Sequence, residues 1–338
     1  MIQPKSEGYT FICEAGVVSG FGHLTRQSAI VEASPKGRIG LSSCVLDDDQ
    51  QSLSYAIEIM GKDTKYLFTW DELRQINFGE GTVFVDGLNM DIDSLEWRNV
   101  ELCAVMSPRM RIPRFWSACF FRGRKLPVNW IPKKGDVIEL GSRYAVVPER
   151  VIQLRKNTKV EANIREESFI VTLMLGEMSD KHSWLVLTSI LDELEKHEQL
   201  IIQVPQDKSK AFHKLWHSEK ANPSRISTFS PADPWSQILN TNLLVTSGGQ
   251  SLIESLCLGL PTISIPVHPE QMGFIDDMQI IGATLALADS EDFIRDVEEV
   301  IYKARDQASR LELSSNARTA IDGLGASRIH DVILENLK

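Results

Sequence analysis

A chain of 338 residues, 43% hydrophobic and 24% charged, is long enough for two ordinary domains, each with its own core. Its 21 glycines and 14 prolines exclude a fibrous or disordered protein. A net charge of −10 excludes a general nucleic-acid binder, which needs a broad basic face, though not a local basic pocket for phosphates.

The opening Met1-Ile2-Gln3-Pro4-Lys5-Ser6-Glu7-Gly8 lacks the basic-then-apolar layout of a secretion signal. No uncharged apolar run reaches the roughly 18–20 residues that span a bilayer. Cys13, Cys44, Cys103, Cys119 and Cys257 are scattered and form no Cys-x-x-Cys pair, so no zinc site is readable and a reducing cytoplasm fits best.

Short β-branched runs alternate with amphipathic stretches, which predicts an α/β chain with parallel sheets and crossover helices. Strands are expected over 9–13 and 82–86, with a helix over 50–61 between them. In the second half, 169–175 reads as a buried strand and 183–197 as a helix with Leu187, Ile190, Leu191 and Leu194 on one face. Strands follow over 200–204, 243–246 and 262–265. A helix over 291–305 carries Ile294, Val297, Val300 and Ile301, and the last ten residues form another through Ile329, Val332, Ile333 and Leu337. The polar segment 155–167 is taken as a linker. Domains are therefore expected over 1–155 and 160–320, with 321–338 a helix packing back on the first.

Two loops carry the chemistry. The first, Gly16-Val17-Val18-Ser19-Gly20-Phe21-Gly22-His23-Leu24-Thr25-Arg26, follows the first strand and opens a helix through Ala33. A histidine at a helix N-terminus faces the positive end of the dipole, which disfavours imidazolium, so His23 is expected to stay neutral and accept a proton. The second is Val245-Thr246-Ser247-Gly248-Gly249-Gln250-Ser251-Leu252-Ile253-Glu254, a strand, a glycine turn and a helix beginning near Ser251. Such a turn can hold a diphosphate on backbone N–H groups, with Glu254 on the first helical turn accepting two ribose hydroxyls. On spacing alone, Gly-Gly serves equally as a plain strand-to-helix turn.

These motifs carry a resemblance. Gly-Gly-x-Ser-x-x-Glu-x-x-x-x-Gly-Leu-Pro, followed by Pro266-Val267-His268-Pro269-Glu270-Gln271, resembles the peptidoglycan N-acetylglucosaminyltransferase family. It is still more similar to its smaller relatives, the UDP-2,4-diacetamido-2,4,6-trideoxy-β-L-altropyranose hydrolases of pseudaminic acid biosynthesis, and to spore-coat polysaccharide proteins of that type. Gly-x-Gly-His-x-x-Arg, ending on Arg26, resembles the same hydrolases' amino-domain signature. Leu140-Gly141-Ser142-Arg143-Tyr144-Ala145 and Asp322-Gly323-Leu324-Gly325-Ala326-Ser327-Arg328 resemble two further elements.

The resemblance implies two Rossmann-like domains facing a cleft, the glycosyltransferase-B architecture, and metal-independent hydrolysis of a UDP-linked acetamido sugar at its anomeric carbon without a cofactor. His23 would be the base; Gly248, Gly249 and Ser251 the phosphate cradle; Glu254 the ribose ligand; Gln271 a sugar contact. Gly20, Gly22, Arg26, Asp86 and Tyr144 would complete the substrate site. A glycosyltransferase, a non-catalytic sugar-nucleotide-binding subunit and a nucleotide-sugar epimerase are the rival readings.

The chain departs from the pattern at Ile12-Cys13-Glu14, Asp86-Gly87-Leu88, Leu175-Gly176-Glu177 and Glu270, positions the resemblance sets beside the sugar. Between Arg109 and Lys125, basic residues interleave with Phe115, Trp116, Phe120 and Phe121. That stretch reads first as a partly buried segment and second as a peripheral membrane contact beside the site.

Overall fold

The computed structural model describes residues 8–16, 19–35, 39–46, 50–76, 81–87, 90–95, 100–106, 116–126, 130–158, 164, 169–175, 180–203, 226–229, 234–288 and 292–336. It divides into two compact units, Met1–Glu149 with Gly323–Lys338, and Arg150–Asp322.

The first unit runs β1 (Gly8–Ala15), α1 (Gly22–Ala33), β2 (Ile39–Leu46), α2 (Gln50–Met60), β3 (Lys65–Leu67), α3 (Trp70–Arg74), β4 (Gly81–Asp86), β5 (Val100–Val105), β6 (Ala118–Phe121) and β7 (Val137–Leu140). Its sheet has the order β3-β2-β1-β4-β5-β6-β7, every pair parallel. All eight residues of β1 are buried, as a strand covered on both faces must be. The order reverses between β1 and β4, and in open parallel sheets such a switch point opens the crevice that takes ligands.

The second unit runs α4 (Glu149–Asn157), β8 (Ile170–Met174), α5 (Asp180–Glu193), β9 (Gln199–Gln203), β10 (Ile226–Phe229), α6 (Pro234–Ile238), β11 (Leu243–Ser247), α7 (Gln250–Leu258), β12 (Thr262–Ile265), α8 (Pro269–Ile280), β13 (Leu285–Ala286), α9 (Phe293–Arg305) and α10 (Gln307–Ala320). Its parallel sheet, β10-β9-β8-β11-β12-β13, repeats the same winding with the switch between β8 and β11. Val171, Leu173, Val245, Ile263 and the inner face of α9 form one apolar cluster.

The last helix, α11 (Gly325–Asn336), belongs to the first unit. Ala326, Ile329 and Ile333 pack with Tyr9, Phe11 and Phe84. The His330 ring stacks on Tyr9 with centroids 5.4 Å apart, and its Nε2 lies 2.8 Å from the Ile30 carbonyl.

The expected linker differs from the structure. Helix α4 runs through Asn157, and Arg155 donates to the carbonyls of Cys257 (2.9 Å), Ile321 (2.6 Å) and Arg318 (2.9 Å). These carbonyls end α7 and α10 and have no partner within their own helices, which is why a guanidinium is drawn in. The remainder, 159–163 and 165–168, lies outside the described residues, as do 109–115 of the basic-aromatic stretch. Among the described residues no helix is long and apolar enough to cross a membrane.

Candidate functional site

In the first unit the site begins where β1 ends. Gly16 and Gly20 close a small loop by pairing to each other, Gly20 N–H donating to the Gly16 carbonyl at 2.8 Å. Gly20 sits at φ 73°, a conformation glycine adopts without a Cβ clash. Gly20 thus shapes the turn, and its N–H is already committed. Gly22 then opens α1, which carries His23 and, one turn later, Arg26.

Asp86, the last residue of β4, meets both side chains. Arg26 Nε donates to Oδ2 at 2.8 Å and Nη2 to Oδ1 at 2.8 Å, a bidentate pair. His23 Nδ1 stands 2.7 Å from Oδ1. Burial pushes the Asp86 carboxyl up, but the charge of Arg26, then that of His23, outweighs it and holds the group at about 2. An ionised carboxylate only accepts, so Nδ1 donates to Oδ1, while Arg26 Nη2, which also lies 2.9 Å from Nδ1, gives its proton to the carboxylate. Burial likewise pulls Arg26 down, and Asp86 more than restores it.

Sequence reading left Arg122, the residue after β6, in the basic-aromatic stretch. Burial first and repulsion from Arg26 second bring it down to about 9, partly offset by Asp86, so it belongs electrostatically to this group. Of the aromatics there, the described Trp116, Phe120 and Phe121 are buried, with Trp116 and Phe121 edge-on to Trp130 at 4.9 and 5.1 Å. Glu14, at the end of β1, is buried against Gly87, where an added Cβ would stand 2.9 Å from its Cγ.

Tyr144 is not brought to this group. Its ring is 4% exposed, packed on Phe120 and within the cluster that α11 covers. It is a core residue of the first unit.

In the second unit, β11 ends at Ser247 and α7 starts at Gln250. The N-cap is Gly249, which has no side chain to cap the helix, so the dipole end and its first N–H groups can meet an anion. The two glycines do different work. Gly248 donates its N–H to the Ile265 carbonyl at 3.2 Å, and an added Cβ would stand 2.7 Å from Ile275 Cδ1 and 2.8 Å from Gln271 Cβ. It is small for packing, and its amide is unavailable to phosphate. Gly249 has room, its nearest neighbours being Ser247 Oγ at 3.7 Å and Gln271 Nε2 at 4.0 Å. Ser251 follows as the second helical residue.

Gln271 accepts from the Val267 N–H at 2.8 Å through Oε1, which turns its Nε2 donor toward the Gly249 turn. Glu254 begins the second turn of α7, not the first, and is 4% exposed. Its Oε2 already accepts from the Trp235 indole, Nε1 at 2.5 Å. Burial lifts the carboxyl to about 7, against the pull of Arg150 and of hydrogen bonds from Gln250 and Trp235. Trp235 was missed because a lone tryptophan near Pro234 gives no positional signal in sequence. Among the described residues no three His, Cys, Asp or Glu side chains gather for a metal ion.

No family model matches the sequence, and no curated protein matches it. Solved structures do match over nearly the whole chain. MurG of Acinetobacter baumannii aligns at TM-score 0.64 and 10% identity, covering 97% of this chain and 99% of that one. The spinosyn rhamnosyltransferase SpnG, complexed with thymidine diphosphate, aligns at 0.58 and 11%, covering 96% and 99%. Methanocaldococcus jannaschii UDP-GlcNAc 2-epimerase, in complex with UDP-GlcNAc and UDP, aligns at 0.60 and 14%, covering 97% and 99%. At these identities the likeness defines the fold: two Rossmann-like domains of the glycosyltransferase-B architecture.

Proposed function

We propose that this protein binds a nucleotide sugar and breaks its anomeric bond, with water as the acceptor. The diphosphate is held at the N-terminus of α7 beside Gly249, the ribose by Glu254, and the sugar or leaving phosphate by Gln271 Nε2. His23 is the base that acts at the anomeric carbon of the sugar. The rhamnosyltransferase and the epimerase, solved with nucleoside diphosphates or a UDP-sugar, support the substrate class. They differ in reaction, so the reaction type is argued from the first unit's own residues.

The observation that carries the reading is the His23–Asp86 pair at 2.7 Å. With Nδ1–H donated to an ionised carboxylate, Nε2 can take a proton from water as its oxygen attacks the anomeric carbon. The bond from that carbon to the β-phosphate oxygen breaks, and the nucleoside diphosphate leaves with the electron pair. Its charge falls on the helix end, which is oriented beforehand. By the motifs, the substrate is a UDP-linked acetamido sugar of surface-polysaccharide or nonulosonic acid synthesis.

The test is release of UDP from UDP-N-acetylated sugars without acceptor and with EDTA present. Sugar and UDP in equal amounts are expected, with His23→Ala silent in turnover yet binding UDP in calorimetry. Release only after an acceptor lipid or glycan is added would make the protein a transferase. A His23→Ala protein with wild-type turnover would remove the histidine from the mechanism.

A further inference from the structure

We propose that Trp235 is the positioning residue of the nucleotide site, its indole N–H fixing the Glu254 carboxylate in the orientation that receives the ribose hydroxyls. The inference rests on Glu254 being the ribose ligand, as proposed above.

Three observations converge on it. Trp235 is 1% exposed, and a buried indole N–H needs an acceptor. Glu254 Oε2 accepts it at 2.5 Å, a carboxylate itself buried and in need of donors. The groups that face this carboxylate come from three elements: Trp235 of α6, Gln250 one turn earlier on α7, and the charge of Arg150 on α4. Rotation about the last side-chain torsion of a glutamate is broad and shallow. A rigid indole donor removes that freedom, so the ribose meets an acceptor already aimed. The same N–H stabilises the charged carboxylate, which is the form two hydroxyls can donate to.

The full-length protein is titrated with UDP by calorimetry from pH 5.5 to 9, as wild type, Trp235→Phe, Glu254→Gln and the double variant. Wild-type affinity should fall as pH drops through about 7, where Glu254 takes up a proton. Trp235→Phe should weaken UDP about tenfold at pH 8 and move the inflection to higher pH, since one hydrogen bond to a charged group is lost. The loss from Trp235→Phe should be markedly smaller in the Glu254→Gln background than in the wild type, because a neutral amide oxygen gains less from the indole N–H than a carboxylate does. A Trp235→Phe protein with wild-type affinity and inflection overturns the proposal while Glu254 keeps its role. So do effects of the two substitutions that simply add, which mark a structural tryptophan. A wild type that binds no UDP takes down the nucleotide reading and this inference together. An indole N–H titration of the wild type by NMR needs no folded Trp235 variant. Of its 7 tryptophans one signal should follow the inflection of UDP affinity and lose it in Glu254→Gln, and flat signals throughout overturn the proposal.

Discussion

His23 Nδ1 and Asp86 Oδ1 stand 2.7 Å apart although 63 residues separate them in the chain. Parallel pairing of β1 with β4, which sets Cys13 opposite Asp86, brings the loop after one strand to the last residue of the other. The carboxylate neutralises Arg26 and fixes the histidine tautomer at once. Asp86→Asn should therefore fail twice. The amide can donate to Nδ1 and turn the proton to Nε2, so turnover should drop on the order of 10⁴-fold. Arg26 would also keep a buried charge with no counter-charge on Asp86, costing roughly 3–5 kcal/mol. Steady-state UDP release and urea unfolding measure the two effects, and wild-type turnover in a folded Asp86→Asn protein would contradict the assignment.

The acid limb of stability carries the same residue. Asp86 is depressed from 3.8 to about 2, so its contribution is complete above pH 3.8 and is lost as pH falls toward 2. The shift corresponds to roughly 2–3 kcal/mol. Unfolding free energies at pH 5 and pH 2.5 should differ less in Asp86→Asn than in the wild type.

Glu254 runs the other way. Its carboxyl is raised from 4.5 to about 7, so below pH 4.5 it is protonated whether folded or not and contributes nothing. Between 4.5 and 7 the unfolded chain gives up the proton that the folded chain keeps, and stability falls as pH rises. Above about 7 the whole penalty is present, on the order of 3 kcal/mol. Glu254→Gln, whose amide oxygen can still accept from Trp235, should melt higher than the wild type at pH 8 and alike at pH 4.5. It should also bind nucleotide more weakly, a stability gained at a functional residue's expense. A variant that melts lower at pH 8 would show that burial does not dominate there.

The two glycines of the turn separate packing from binding. Gly248→Ala would press on Ile275 and Gln271 at 2.7 and 2.8 Å and should cost about 1–3 kcal/mol of stability. Gly249→Ala meets nothing closer than 3.7 Å and should leave the melting transition near wild type. What it should lose is the close approach of a diphosphate, worth about 1.5–3 kcal/mol per charged hydrogen bond, so UDP affinity falls about tenfold or more. Equal UDP affinity in a folded Gly249→Ala protein would move the phosphate elsewhere.

Much of this was legible in the sequence because buried parallel strands are apolar runs that need no partner to be seen. Residues 9–13, 82–86, 169–175, 243–246 and 262–265 fall on β1, β4, β8, β11 and β12. Half-polar or short strands were not legible: Ile39–Leu46 begins exposed, and Leu285–Ala286 is held only by its pairing to β12. Helix α10 was missed because its buried side includes Arg310 and Ser314 beside Leu313 and Ala317, which blurs the periodicity. At the site, the motifs behind the resemblance singled out His23, Arg26 and the glycine turn as candidates. The sequence could not show that Asp86 grips both side chains or that Trp235 occupies Glu254, because those contacts exist only across folded elements. Nor could it divide the glycines, since the neighbours that fill the space at Gly248 arrive 23 and 27 residues later on α8.

The two remaining motif elements, Leu140–Ala145 and Asp322–Arg328, find a physical account in one contact within the first unit. An added Cβ at Gly325 would run into the Ala145 carbonyl, and Arg328 Nη1 donates to the Arg143 carbonyl at 2.9 Å. Gly325 thus lets the start of α11 lie directly on the Tyr144–Ala145 backbone, so that Ala326, Ile329 and Ile333 reach Tyr9 and Phe11. Tyr144 packs at this seat, in the same cluster as Ala326, Ile329 and Ile333. Gly325→Ala should cost roughly 2 kcal/mol or more, because the obstacle is backbone and cannot rotate away. Gly123→Ala, in the same unit with nothing within 4 Å, should change stability by less than about 0.5 kcal/mol. Urea unfolding of both variants decides the matter: equal midpoints would mean that α11 can shift to make room, and the close seat on Ala145 would lose its importance.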